Sequence, residues 1–121
     1  MNVGRTGEDG RVSYDEELAD RVEDLLGARR DATPKRMFGG LAWMVNGNMA
    51  VVVRSRGGLM VRVSPDAHDD LLAEPGAATT VMRGHPMRGW ITVSPEACAA
   101  PSDVAAWVER GLAYALSLPP K

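Results

Sequence analysis

Histidine is the side chain that most often supplies acid–base or metal-binding chemistry near neutral pH, and this chain has two. His68 directly precedes Asp69 and Asp70, but adjacent residues on a helix point about 100° apart, so these side chains do not converge on one ion. His85 lies in a turn-rich stretch without a thiol or carboxylate at ligand spacing. We therefore predict that both histidines are exposed and that the chain holds no metal and no cofactor.

Nucleophilic side chains offer a second kind of chemistry. Cys98 is the only cysteine, which excludes an internal disulfide and a zinc cluster built on thiolates. It follows Ser94 and Pro95 in a run of small residues, where we predict a buried or half-buried apolar filler. The best-placed serines precede predicted helices, whose amides they can cap: Ser13, Ser64, Ser94 and Ser102. No catalytic residue is predicted, and we expect no enzymatic activity and no small-molecule substrate.

A set of basic side chains could contact phosphates or an acidic partner, and its members are Arg29, Arg30, Lys35, Arg36, Arg54 and Arg56. Alternatively these bases form a solvated rim that offsets the acidic stretch over residues 15–24. The formal net charge of −2 gives the whole molecule no drive toward nucleic acid or an anionic membrane. Sheet surfaces that bind RNA also need exposed aromatic rings, for which Phe38 and Trp90 are the candidates. Nucleic-acid binding stays open as an alternative function.

Methionines offer a surface for contact with another protein. Met44, Met49 and Met60 fall on one side of the predicted sheet, with Arg62 at its rim. Methionine side chains adapt to the shape of a partner, and an uncovered apolar sheet face is typical of an interface. The alternative is that a helix or the N-terminal tail covers these side chains. We predict an interface here, for self-association or for a protein partner.

The elements that position these residues begin with a hairpin at Asn46-Gly47, a pair typical of a two-residue type I′ turn. Strands are predicted over residues 40–46, 48–55, 59–63, 79–83 and 90–93, with Thr33-Pro34 as a break before the first. If the turns are two-residue loops, the face toward the helices carries Leu41, Trp43, Val45, Ala50, Val52, Leu59, Val61 and Val63. The opposite face then carries Ala42, Met44, Met49, Val51, Val53, Ser55, Met60 and Arg62.

Three helices complete the prediction. The first covers residues 14–28, with Ser13 and Glu16 as a capping box, and the second covers residues 65–74. The third begins at the cap Ser102 and ends before Leu118. The order α-β-β-β-α-β-β-α predicts a two-layer α+β fold, in which one mostly antiparallel five-stranded sheet has the helices on one face.

Length and composition are those of one globular domain, because 121 residues with 45% hydrophobic and 25% charged side chains can bury a core. We expect a disordered tail over residues 1–12 and a domain over residues 13–121. No apolar run approaches the roughly 20 residues of a membrane span, and the first residues do not form a signal peptide. A cytoplasmic location without membrane contact is the expectation.

Several short segments, in this order and spacing, resemble the N-terminal domain of the TfoX/Sxy family of competence regulators. They are Met37-Phe38-Gly39-Gly40, Asn46-Gly47-Asn48-Met49, Met60-Val61-Arg62-Val63, residues 84–90 and Leu118-Pro119-Pro120-Lys121. The resemblance spans about residues 13–121 and implies a stand-alone TfoX N-terminal-domain protein with a two-layer α+β fold. Longer family members regulate DNA-uptake genes together with the cyclic-AMP receptor protein. A regulatory, non-enzymatic function is therefore implied, since the family offers no catalytic residue.

Overall fold

Residues 14–121 are described by the computed structural model, so the predicted tail over residues 1–12 and the predicted cap Ser13 lie outside the described residues. One sheet carries the strands in the order β1-β2-β3-β4-β6-β5, with antiparallel neighbours throughout. The strands are β1 Ala32–Met37, β2 Gly40–Val45, β3 Asn48–Val53, β4 Leu59–Arg62, β5 Ala77–Met82 and β6 His85–Val93. The helices are α1 Glu16–Leu26, α2 His68–Leu71 and α3 Pro101–Ser117. The α+β class with an antiparallel sheet is confirmed.

The sheet has six strands, so the prediction of five was wrong. The missed strand is β1, which contains Pro34 and forms one edge of the sheet. Proline has no amide hydrogen to donate. In an edge strand its nitrogen can face solvent, so no hydrogen bond between strands is lost. Thr33-Pro34, predicted to separate the first helix from the first strand, lies within a strand of its own, and β1 pairs with β2 along its whole length.

The first helix starts later than predicted because Asp15 is its cap. The Asp15 carboxylate accepts hydrogen bonds from the amides of Glu17 at 2.9 Å and Leu18 at 3.2 Å. This places the first helical residue at Glu16, where negative charge opposes the helix dipole. The buried stripe Leu18, Val22 and Leu26 belongs to the main core, and the helix packs against α3.

The last helix begins at Pro101, and the predicted cap Ser102 lies inside it. Proline suits the first helical position because that amide has no partner within the helix. The helix crosses β3 closely at Gly111, where a Cβ atom would come within 2.5 Å of the Ala50 carbonyl oxygen. A glycine in mid-helix, which ordinarily weakens a helix, is thus explained by close packing on the sheet.

The predicted Asn46-Gly47 hairpin is present, with φ of 53° and 83° at its central residues. Beyond it, however, the pairing of β2 with β3 shifts by one residue between Trp43 and Met44, which leaves Ala50 unpaired. A one-residue shift exchanges the faces of the residues that follow it in the same strand. The prediction that placed Val52 in the core was therefore wrong.

As a result Val51 and Val53 belong to the main core, with Trp43, Leu59, Val61, Ile91 and Val93, and Val52 lies on the opposite face. Both Ala50 and Val51 lie on the helix side, as is typical of a β-bulge.

Two of the segments that carried the family resemblance contact each other. The Asn48 side chain is buried and donates to the Pro119 carbonyl at 3.0 Å, while the Lys121 amide donates to the Asn46 carbonyl at 2.8 Å. The segment after α3 is thereby fixed to the first hairpin. Asn46-Gly47-Asn48 and Leu118-Pro119-Pro120-Lys121 therefore form one structural unit.

Candidate functional site

The side of the sheet opposite the helices carries an apolar cluster, called here the methionine face. Its buried centre is Ala42, Val52 and Met60, and around it pack Met37, Met44, Met49 and Trp90. Five strands contribute to this cluster, and none of its members comes from a helix. Met44 and Met49 pair directly across β2 and β3 and are half-buried. The structure thus brings together the three methionines that the sequence predicted as an interface.

Arg62, the fourth predicted interface residue, lies at the end of β4 and is held by two rings. Its guanidinium carbon is 5.4 Å from the centre of the Trp90 ring and 5.6 Å from that of Tyr114 in α3. At these distances a guanidinium is attracted to the face of each ring. Arg62 therefore anchors the rim of the methionine face to α3.

A groove, called here the Phe38 groove, opens at one end of the methionine face and has a volume of about 200 Å³. Met60 and Val52 contribute to both the groove and the methionine face. The turn between β1 and β2 supplies one wall, the turn after β3 another, and the end of β5 a third. The complete lining is Phe38, Val52, Arg54, Ser55, Arg56, Met60, Thr80, Val81 and Met82.

The third wall depends on an irregularity in the β5–β6 hairpin. Thr79 pairs with Ile91, but the next residue, Thr80, pairs with Met87, so residues 88–90 drop out of this ladder. The hydroxyls of Thr80 and Thr92 lie 2.8 Å apart and tie the two strands together at the break. Such an irregularity redirects a strand, and here the side chains beyond it line the Phe38 groove.

Exposed apolar side chains concentrate at this groove. Among the described residues, the large hydrophobic side chains that are exposed include Phe38 at 62%, Val81 at 62% and Met82 at 37%, and all three line it. The others, Leu25 and Leu116, lie on helices away from it. Reasoning from sequence missed Val81 as a site residue, and it considered Phe38 as a ring for RNA stacking or as a core residue.

The six bases predicted as an anion or nucleic-acid surface do not form one patch. Arg29 is occupied by a two-pronged ion pair with Asp31, with both nitrogen–oxygen distances 2.9 Å. That hydrogen bond lowers the pKa of Asp31 and raises that of Arg29. Arg29 and Arg30 precede β1, whereas Arg54 and Arg56 follow β3 at the far end of the same strands.

Lys35 and Arg36 lie exposed on β1 between these two groups. The strand register places Lys35 opposite Ala42 on the methionine face and Arg36 opposite Leu41 on the helix side. Six residues of strand span about 20 Å, so the predicted set is spread over both ends and both faces of the sheet.

His68 is buried, so the prediction of two exposed histidines was wrong for this residue, while His85 is exposed. The His68 Nδ1 atom accepts from the Gly89 amide at 3.0 Å, and Nε2 lies 2.9 Å from the Thr79 hydroxyl. An Nδ1 acceptor requires the proton on Nε2, which then donates to Thr79. His68 joins α2 to both strands of the irregular hairpin. From residue 14 onward, no group of histidines, cysteines and acids is arranged to hold a metal ion.

Cys98 is buried, as predicted for an apolar filler. Burial raises the pKa of its thiol to about 11, and the charge of Asp103 adds to this shift. The nucleophilic form of cysteine is the thiolate, which is scarce at neutral pH when the pKa lies so high. Cys98 therefore has the properties of a packing residue.

Comparison with known protein families identifies a match. A family model described as the TfoX N-terminal domain matches residues 24–115. No curated protein and no solved structure shows a significant match to the chain. Over residues 14–121, no helix combines the length and apolar character needed to cross a membrane.

Proposed function

We propose that this chain, which belongs to the TfoX N-terminal domain family, is a non-enzymatic module that acts by binding another protein through the methionine face. The observation that carries the proposal is an apolar cluster on a sheet face to which no described helix contributes. Antiparallel sheets commonly pack one face and present polar side chains on the other. Here both faces are apolar.

The residues of the methionine face suit contact more than core packing. Met44 and Met49 are only half-buried, and their side chains are flexible enough to adapt to a second surface. Trp90 packs against the same cluster and Arg62 lies over its ring, and aromatic and arginine side chains are enriched where partners bind tightly. The face therefore offers half-buried methionines around a buried apolar centre, beside an aromatic and cationic rim.

A regulatory function in the cytoplasm completes the proposal, by analogy with the longer competence and transcription regulators that the chain resembles. The competing hypothesis, a nucleic-acid accessory domain, needs the predicted bases to act together. Their division between two ends of the sheet, with Arg29 already paired to Asp31, favours a protein partner.

Charge placed on the methionine face tests the proposal. We choose Met44→Glu with Met49→Glu, because Met60 is 7% exposed and a charge there would disturb the fold itself. The double variant should stay folded by circular dichroism and lose the proteins that the wild type captures from its native host. Leu116→Glu, an exposed position on α3, is the matched control and should retain them.

Native mass measurement of the same variants separates self-association from a different partner. A gel shift with DNA and RNA at low salt tests the competing hypothesis, since phosphate contacts weaken steeply as salt rises. Retention of the captured proteins by the Met44/Met49 double variant would show that the interface lies elsewhere.

A further inference from the structure

Three hairpin turns in this fold have the same backbone but different residues at their first central position. Asn46-Gly47, Phe38-Gly39 and Arg83-Gly84 are each two-residue loops with positive φ at both positions. Asparagine adopts this conformation readily, whereas a bulky side chain at positive φ is an outlier. The two outliers, with φ of 56° for Phe38 and 52° for Arg83, are the ones at the Phe38 groove or next to it.

Strained residues that the fold itself does not require point to a function. Phe38 is 62% exposed, so its ring contributes little to the core, and a polar residue would serve the turn better. The turn instead leaves an aromatic ring exposed to solvent at the mouth of a groove. Val81 and Met82 extend the same apolar surface from the opposite wall.

The charge around the Phe38 groove has one sign. Its lining includes Arg54 and Arg56 and no acidic residue. Neither arginine forms an ion pair with a described residue, and the one hydrogen bond of the Arg54 side chain, to the Gly57 carbonyl, is long at 3.4 Å. Two guanidinium groups beside an exposed ring favour a ligand that combines a carboxylate with an apolar group.

The size of the groove favours a segment of a partner protein. Its volume of about 200 Å³ is below the roughly 300–1,000 Å³ of typical small-molecule sites and suits one or two anchoring side chains. Because it is continuous with the methionine face through Met60 and Val52, a partner seated there would contact both surfaces.

We propose that the Phe38 groove binds an acidic segment of the partner protein. An apolar side chain of that segment packs between Phe38, Met60 and Val81, and a neighbouring carboxylate binds Arg54 and Arg56. This inference rests on the proposed function and adds to it the chemistry of the partner.

The test uses fluorescein-labelled peptides of repeated Ser-Leu-Glu triplets, with Ser-Leu-Lys triplets as the charge-reversed probe, and measures fluorescence anisotropy. The acidic peptide should bind at least about tenfold more tightly than the basic one. Phe38→Asn should weaken that binding by about tenfold, and Arg54→Glu with Arg56→Glu by more. Arg30→Glu with Arg36→Glu is the matched control, since these exposed bases lie outside the groove, and it should change binding less than about twofold.

Loss of the fold cannot explain a loss of binding in Phe38→Asn, because asparagine is the better turn residue and this variant should melt no lower than the wild type. Equal binding of the two peptides, or no binding of the acidic one, overturns the inference. So does a native mass showing a dimer that Phe38→Asn abolishes, since the occupant would then be a second copy.

The proposed function has a separate test. If Met44→Glu with Met49→Glu loses the captured proteins while the Arg54/Arg56 reversal keeps them, the groove inference fails and the proposed function stands. If both variants keep those proteins, the proposed function fails as well.

Discussion

The two faces of the sheet are built by the same strands from different kinds of side chain. Toward the helices the strands present mainly β-branched residues, such as Val51, Val61 and Ile91, all fully buried. On the opposite face they present Met44, Met49 and Met60. β-branched side chains are restricted at χ1 and suit one fixed packing, whereas methionine adapts to several. The comparison supports the proposal that one face is committed to the fold and that the other binds a partner.

The faces also differ in charge. The helix side carries the exposed acids of α1, including Glu16, Glu17 and Asp20. The groove end of the methionine face carries Arg54 and Arg56 instead. Charges of opposite sign on opposite sides orient a charged partner before contact. An acidic partner would thus be directed to the methionine face and away from α1.

The largest expected effect is a difference in stability between substitutions on the two faces of the sheet. Leu59 is fully buried on the helix side. The change Leu59→Ala should lower the free energy of unfolding by about 2–5 kcal/mol, because it leaves a cavity. Met49→Ala on the methionine face should cost less than about 1.5 kcal/mol, since that side chain is half-buried. Urea denaturation followed by tryptophan fluorescence measures both. Equal losses would mean that the methionine face is part of the core.

His68 supports the irregular hairpin that gives the groove its third wall, and its loss should have the next largest effect. His68→Ala removes the acceptor of the buried Gly89 amide and the partner of Thr79, at an expected cost of about 2–3 kcal/mol. The exposed His85→Ala should change stability by less than about 0.5 kcal/mol. Thermal melts of the two variants check this. A His68→Ala protein as stable as the wild type would show that the hairpin needs no such support.

The pH dependence of stability tests whether Cys98 is buried in the core on the helix side. Burial raises the pKa of its thiol to about 11, so the folded state keeps its proton at a pH where the unfolded state has lost it. This contribution to stability is therefore complete below the ordinary thiol pKa and is lost as the pH rises toward about 11. Relative to Cys98→Ala, the wild type should lose up to about 2 kcal/mol over that interval. Parallel pH dependences of the two proteins would show that Cys98 does not titrate as inferred.

Local residue types predicted much of this fold, and the errors arise where distant parts of the chain decide the outcome. Asn46-Gly47 predicted its hairpin, because the turn conformation depends on those two residues alone. The strand that contains Pro34 was missed, because no local feature reveals that this strand lies at an edge of the sheet. The faces of Val51 and Val52 were exchanged because Ala50 is unpaired, at the point where its carbonyl packs against Gly111 from α3.

The candidate site divides in the same way. The methionines share a face because of their positions in the strands, and those positions could be predicted from the sequence. The Phe38 groove depends on the break between Thr79 and Thr80, which only the assembled sheet shows. One local signal was present nonetheless, since Phe38-Gly39 and Arg83-Gly84 occupy positions where Asn-Gly is the usual hairpin pair.

The smallest expected effect on stability has the opposite sign. Phe38→Asn and Arg83→Asn each replace a bulky residue at positive φ by one that tolerates it, so each should stabilise the fold by about 0.5–1 kcal/mol. Side-chain contacts predict the reverse for Phe38, because asparagine loses whatever apolar burial the ring retains. Differential scanning calorimetry decides between turn strain and ring contacts by the sign of the change in melting temperature. If Phe38→Asn and Arg83→Asn are stabilised equally, backbone strain explains both changes, and Phe38 then lowers the stability of the fold, as expected of a residue that binds a partner at the Phe38 groove.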